Sequence, residues 1–241
     1  MLAIRKPRAW LLSLFIVAEL GFGAAARWQW QRGEFKDRRD REFAAAVAGN
    51  AARVPSDFAA LTRQAEDFAP VRLRGRLSTD RVYLHDNRIV EGEYGVDVYV
   101  PLEIDGGHVL VNLGWIAADR SRRAAPELPE LPEMFDAPGL IAPAPAIGMM
   151  QGRDVAAVAG QPSLRLNIDP GSISRDAGLA PMLARVFWPA PETGAPFRRD
   201  WKPSGMPADR HRGYALQWAS FAAACLILFL MFHIRRKEVR P

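Results

Sequence analysis

The chain has 241 residues, with 32 lysines and arginines against 27 acidic side chains, a formal net charge of +5 and an isoelectric point near 9.8. Its length suits one domain of ordinary size plus short extra segments. The basic excess sits largely at the two tips, not in one patch, which argues against nucleic acid as a partner, and a single cysteine rules out an internal disulfide or a cysteine-based zinc site.

In chain order, a basic tip over residues 1–8, with Arg5, Lys6 and Arg8, leads into the apolar run AWLLSLFIVAELGFGAAA over 9–26. Two readings fit this run. A basic start, an apolar centre and a small-residue end before Arg27 describe a secretory signal peptide cut after Ala26. Glu19 within the apolar stretch and the bulky RWQW after the cut site instead fit a retained transmembrane helix with tryptophans at the interface. The second reading is carried forward; either one sends the following residues across the membrane.

Residues 27–210 read as a β-rich domain with short helices. SDFAALTRQAED (56–67) begins with Ser56 as a helix N-cap and continues with helical spacing of Phe58 and Leu61. FAPVRLRGRL (68–77), RVYLHDNRIV (81–90), YGVDVYVPLEI (94–104) and HVLVNLGWI (108–116) alternate apolar and polar residues, with a turn at Asp105, Gly106 and Gly107. Such alternation predicts an antiparallel sheet with one face buried and one wet. The proline-rich tract 124–147 predicts edge strands and loops, DPGSISRDAGLA (169–180) a short capped helix, and MLARVFWP (182–189) a further strand.

Residues 211–234 form a second transmembrane helix, since Tyr214 to Ile234 hold no formal charge other than His233 and about 20 apolar residues cross a ~30 Å hydrocarbon core. A basic tail follows over 235–241, with Arg235, Arg236, Lys237 and Arg240. Two spans put both tips on one side, and long domains translocate largely regardless of charge. The expectation is therefore cytoplasmic tips and a periplasmic middle. Small residues meet at matching ends, Gly21, Gly23, Ala24, Ala25 and Ala26 on one helix and Ala215, Ala219, Ala222 and Ala223 on the other. At ~1.5 Å per residue Glu19 and Gln217 come to similar depth, and a polar group facing lipid is costly, so the two are expected to face each other. The fold class is an α+β membrane protein: a small antiparallel sheet or partly closed barrel carried on two antiparallel transmembrane helices.

No catalytic constellation is visible, and the chain reads as a non-enzyme. His85 and Asp86 are neighbours on a strand and point to opposite faces, one at the core edge and one at the surface. His108 follows a turn and reads as solvated; His233 lies among headgroups at the far end of the second span. No pair of histidines has metal-ligand spacing, and no glycine-rich phosphate loop joins a strand to a helix.

Several segments, in order, resemble the Surfeit locus protein 1 family of cytochrome c oxidase assembly factors. GFGAAARWQWQRGEFK carries its small residue, Trp-Gln and later cations at Trp28, Gln29, Arg32 and Lys36; the strands VRLRGRL, YGVDVYVPL and HVLVNLGWI include its Val-Asn-x-Gly-Trp core at Val111, Asn112, Gly114 and Trp115. HRGYALQW, with His211, Tyr214 and Trp218, is similar to its opening of the second helix. The chain departs from the pattern at Leu113, where the family often has arginine, at Glu19, and in APGLIAPAPAIGMMQGRD.

The resemblance implies a bacterial inner-membrane protein that works with the large cytochrome c oxidase subunit and other oxidase assembly factors, and binds haem a through the histidine at the second helix, here His211. Imidazole is a common axial haem ligand. Arg210 and Arg212 could pair with the propionates, and Trp218, two turns on, could stack on the ring. The alternative is a cofactor-free scaffold in which His211, Tyr214 and Trp218 form an interfacial belt and Arg210 and Arg212 meet membrane lipid phosphate.

Overall fold

The computed structural model describes residues 2–4, 7–49, 56–64, 66–121, 126–145, 161–192, 196–203 and 205–236. Parts of both basic tips, including Arg5, Lys6, Lys237 and Arg240, and the stretch 146–154 of the departing tract lie outside them. The elements are β1 (Leu2–Ile4), α1 (Ala9–Val47), α2 (Phe58–Gln64), β2 (Ala69–Leu77), β3 (Tyr83–Val90), β4 (Glu93–Ile104), β5 (Gly107–Ala117), β6 (Met134–Pro143), β7 (Ser163–Arg165), α3 (Pro170–Ala177), β8 (Met182–Pro189), α4 (Ala208–His233) and β9 (Ile234–Arg236). They divide into two compact units, residues 42–204 and the pair of segments 1–41 and 205–241.

The unit of residues 42–204 is a mixed sheet in the order β2-β6-β8-β5-β4-β3-β7, and β2 also pairs with β4 through Arg76↔Glu103 and Leu77↔Leu102. That last pairing closes β2, β6, β8, β5 and β4 into a ring, with β3 and β7 as a side extension. Most pairs are antiparallel; β5 with β8 and β3 with β7 are parallel. Leu73, Val98, Val100, Leu102, Val109, Val111, Ile141 and Phe187 fill one core. Burying such a side chain contributes about 1.5–3 kcal/mol.

The expected wet face is not wet on β4 and β5, which are buried along nearly their whole length. A second core covers it, built from Tyr83, Tyr99, Leu110, Ile168, Ile173 and Val186, with Phe68 and the last turns of α1 at Phe43 and Ala46. Alternation in the sequence marks two faces but does not say that the second lacks a cover. The proline-rich tract also holds a surprise: β6 lies between β2 and β8, not at an edge. Pro138 is tolerated there because pairing to β8 begins at Gly139, and Pro138 contributes only its carbonyl, which accepts from the Ala190 N–H.

Local signals explain the short helices. Asp169 caps α3 by accepting from the Gly171 and Ser172 N–H groups at 3.2 and 2.9 Å, Pro170 opens it, and Gly178 closes it in the left-handed conformation. The cap of α2 is Asp57, whose carboxylate accepts from the Ala60 N–H at 2.8 Å, one residue past the expected Ser56.

The Val-Asn-x-Gly-Trp stretch of β5 is a β-bulge. Tyr99 pairs with Asn112 and Val98 with Gly114, so Leu113 is the additional residue. Asn112 holds the bulge by accepting from the Gly114 N–H at 3.0 Å and donating to the Tyr99 hydroxyl at 2.9 Å. The strand then continues along β4, and Trp115 exchanges two backbone hydrogen bonds with Arg198 at 2.8 and 2.9 Å. Leu113 is buried in the main core, and its carbonyl accepts from Arg199 Nε at 2.9 Å.

Neither His85 nor Asp86 is a surface residue. Asp86 is buried and accepts a hydrogen bond from the Tyr94 hydroxyl. The His85 side chain, 14 % exposed, lies 4.0 Å from Asp97, edge-on to Tyr99. Arg88 Nε is 2.7 Å from the same carboxylate. His108 is likewise half-buried rather than solvated.

Burial, and then the Arg88 cation, push the His85 pKa down to about 4, against the opposing pulls of the Leu166 carbonyl and Asp86. A base with a depressed folded-state pKa stabilises the fold above its unfolded value near 6.5, and that stability is lost as pH falls through the folded value. The contribution is about 3 kcal/mol across that window. Burial raises the Asp97 carboxyl pKa, so its protonation on acidification offsets part of the loss. Thermal unfolding of the full chain in detergent between pH 7 and 4 is expected to show a falling midpoint in the wild type and a flatter profile in His85→Gln.

Candidate functional site

The unit formed by residues 1–41 and 205–241 is built on α1 and α4, both long and apolar enough to cross a membrane, with apolar windows almost entirely unburied within the protein. The helices run antiparallel, and β1 pairs antiparallel with β9 at the tips. α1 does not stop at Ala26 but continues unbroken through RWQWQRGEFKDRR, and α4 begins at Ala208, three residues before the expected start. Pairs one turn apart, Trp30 with Glu34 and Lys36 with Asp40, support the extension.

Three aromatic and polar contacts set the register. Phe15 stacks on Phe229, Phe22 on Trp218, and Gln29 meets His211, at 4.1, 6.0 and 2.7 Å respectively. The α1 residues turned inward, Phe15, Glu19, Phe22, Ala26, Gln29, Gly33 and Lys36, recur at alternating steps of four and three, the seam of two packed helices. Gly33 packs against α4: a Cβ there would lie in van der Waals contact, 3.4 Å from the Ala208 carbonyl and 3.5 Å from His211 Cβ. Of the small residues expected at the seam, Ala215 is buried, at 5 % exposure, and Ala25, Ala26 and Ala222 are partly covered, whereas Gly21, Gly23, Ala24, Ala219 and Ala223 face outward.

His211 sits at the mouth of this seam. Its Nδ1 is 2.7 Å from Gln29 Oε1. A carboxamide oxygen only accepts, so Nδ1 carries the proton, and in the neutral imidazole Nε2 then holds the lone pair. A neutral imidazole held this way by a second side chain is oriented as a ligand or a base.

Around it, Arg212 pairs with Asp37 and, at 3.3 Å, with Asp209, while Arg210 is exposed. Trp218 is occupied by Phe22 and, at 5.8 Å, by Phe221. Tyr214, 44 % exposed, points outward, as do Trp28 and Arg32. His233 stacks on Phe229 at the opposite end of α4, about 33 Å along the helix. No group of three or more metal-capable side chains occurs among the described residues.

The structure thus brings Gln29 and His211 together and leaves Arg210 facing outward, but commits Arg212 and Trp218 to internal contacts. Glu19 and Gln217 do not meet: Glu19 lies near the Cys225 thiol, with its Oε1 buried and without a hydrogen-bond partner, and Gln217 is exposed. The depth estimate aligned helix ends at Ala26 and His211; the actual register sets Gln29 against His211 and, deeper, Phe15 against Phe229, so the residues opposite Glu19 lie about one to two turns beyond Gln217. Glu19→Cys is accordingly expected to form a disulfide with native Cys225 under mild oxidation, while cysteines at 19 and 217 in a Cys225→Ala background remain free, as read by gel mobility. Gly33 and Asp37 were not singled out by sequence reasoning, although the four-three spacing through Gln29 and Gly33 was available to find them.

The other motif residues belong to the unit of residues 42–204, where Asn112, Gly114 and Trp115 build the bulge described above. The order and spacing of all these segments now meet a direct comparison: the SURF1 family model matches residues 16–223, most of the chain and both helices. The chain belongs to the SURF1 family. That family is associated with cytochrome c oxidase assembly, so the protein is a membrane-anchored member of an assembly-factor family. A comparison with curated proteins found no match.

Proposed function

We propose that this SURF1-family protein serves oxidase assembly by holding haem a at the junction of α1 and α4, with both chain tips in the cytoplasm and residues 42–204 in the periplasm. One observation carries the reading: Gln29 fixes the His211 proton on Nδ1 and leaves Nε2 as a ligand atom. His211 would hold the iron, and the exposed Arg210 would meet a propionate. Haem a supplies the pigment to be handed on, and the chain's own part is to hold and orient it without reaction.

The donor set fits only in part. Arg212 is already paired with Asp37, and the seam beside Gly33 and Ala215 is closed, so a macrocycle has no slot between the helices as packed. Residues on the outer side of His211 would have to cradle it. That closed seam favours a second reading, a cofactor-free scaffold that receives an oxidase subunit.

Purification in mild detergent from cells that make haem a separates the two. A Soret band in the wild type supports the haem reading. A colourless protein that still recovers the large oxidase subunit supports the scaffold.

A further inference from the structure

Residues 27–41 of α1 carry six cations, Arg27, Arg32, Lys36, Arg38, Arg39 and Arg41, against the acids Glu34, Asp37 and Asp40. In sequence the signs are interleaved. In the structure they are sorted. Asp37 turns to Arg212 on α4, Asp40 to Lys36, and Glu34 accepts from the Trp30 indole at 3.1 Å. Trp28, Arg32 and Phe35, all exposed, follow one another at helical steps of four and three, with the exposed Arg38 and Glu34 beside them.

The Phe35 ring, 39 % exposed, has the guanidinium carbons of Arg32, Arg38 and Arg39 at 5.4, 5.7 and 5.7 Å from its centre. Among the described residues no carboxylate pairs with Arg32 or Arg38. Three like charges gathered on one exposed ring repel each other, and in water each ring contact returns little. Carboxylates brought from outside would be held by paired, geometrically specific hydrogen bonds.

A bilayer whose hydrocarbon ends at Ala26 leaves the Phe35–Arg38 end of this face beyond its headgroups. The apolar run ends at Ala26, so Phe35 stands about 13 Å and Arg38 about 18 Å further along the helix. The headgroup layer adds only about 6 Å on each side of the hydrocarbon. We propose that the Arg32–Phe35–Arg38 face docks an acidic helical segment of a partner protein that rises from the membrane beside α1. Its carboxylates, one turn apart, meet the guanidiniums, and an apolar side chain covers Phe35. The proposal depends on α1 being membrane-anchored and not on haem ligation, so it stands or falls independently of His211.

The test places photoreactive benzoylphenylalanine at position 35 of the full chain, in cells that make the oxidase. The expected product is a protein adduct whose crosslinked peptide carries at least two Asp or Glu within about one helical turn of the modified residue. Its yield should fall at least tenfold in Arg32→Glu/Arg38→Glu and less in Arg32→Gln/Arg38→Gln, with Arg32→Lys/Arg38→Lys between the Gln variant and the wild type. The Glu19→Cys crosslink to Cys225, measured in each variant, reports that the helix pair is intact. Adducts to lipid alone, no adduct, a partner peptide without acids, or a yield indifferent to charge reversal overturns the proposal.

Discussion

His211→Ala, purified from cells that make haem a, is expected to lose the Soret band of the wild type and at least tenfold of its bound pigment, with abundance in the membrane unchanged. The expectation follows from Nε2 being the one oriented imidazole nitrogen at the helix junction. Gln29→Leu tests the same geometry from the second side chain. It leaves the ligand in place but releases the Nδ1 proton and the ring orientation, a change that typically costs 10–100-fold in metal affinity. An intermediate loss of pigment with a shifted Soret maximum is therefore expected. Arg212→Ala should retain pigment, because its guanidinium already answers Asp37. A coloured His211→Ala protein would move the ligand elsewhere, and a colourless wild type would leave the scaffold reading.

Gly114→Ala is expected to destabilise the β domain strongly. Gly114 has φ near +127°, a conformation side chains rarely adopt, and a Cβ there would lie 2.7 Å from the Arg198 carbonyl and 2.9 Å from Phe197 Cβ. Backbone strain costs about 1–3 kcal/mol and overpacking about as much again, so a loss near 4 kcal/mol is expected. For a domain of this size that lowers the unfolding midpoint by roughly 8–16 °C. Gly213→Ala, on the open side of α4 with nothing within 4 Å, is the matched control and should not lower it. Thermal unfolding in detergent distinguishes the two; a Gly114→Ala midpoint within a degree of wild type would refute the bulge account.

Those two residues show where sequence reasoning reached and where it stopped. The strands around Val71, Val98, Val111 and Val186 were legible because apolar residues recur at spacing two, and α3 because Asp169, Pro170 and Gly178 mark its two ends. The Gly114 motif could be recognised but not explained, since a bulge appears only when Tyr99 and Val98 are seen to pair with Asn112 and Gly114. Ring closure was half-anticipated as a partly closed barrel. The burial of both faces of β4 was not, because Phe43, Phe68 and Ile173 come from distant parts of the chain. At the helix junction, His211 stood out as an ionisable residue beside an apolar run. Its partner Gln29 was noticed only as a motif position, since the end of α1 was placed at Ala26 and the helical register beyond it was lost.

The ring of strands also constrains the order in which the chain can assemble. The meander β3–β4–β5, residues 83–117, pairs neighbours joined by tight turns and can form as soon as it is made. Closure must wait. β2 needs β6, more than fifty residues later, and the ring stays open between β6 and β5 until β8, later still, enters there. Contacts that join distant parts of a chain form slowly because loop entropy is lost before they repay it. Until Phe187 is in place, the paired strands present open edges and a bare apolar face, the state most prone to sticking to other chains. The slowest and most vulnerable interval in this protein's life is therefore the one between synthesis of β5 and arrival of β8.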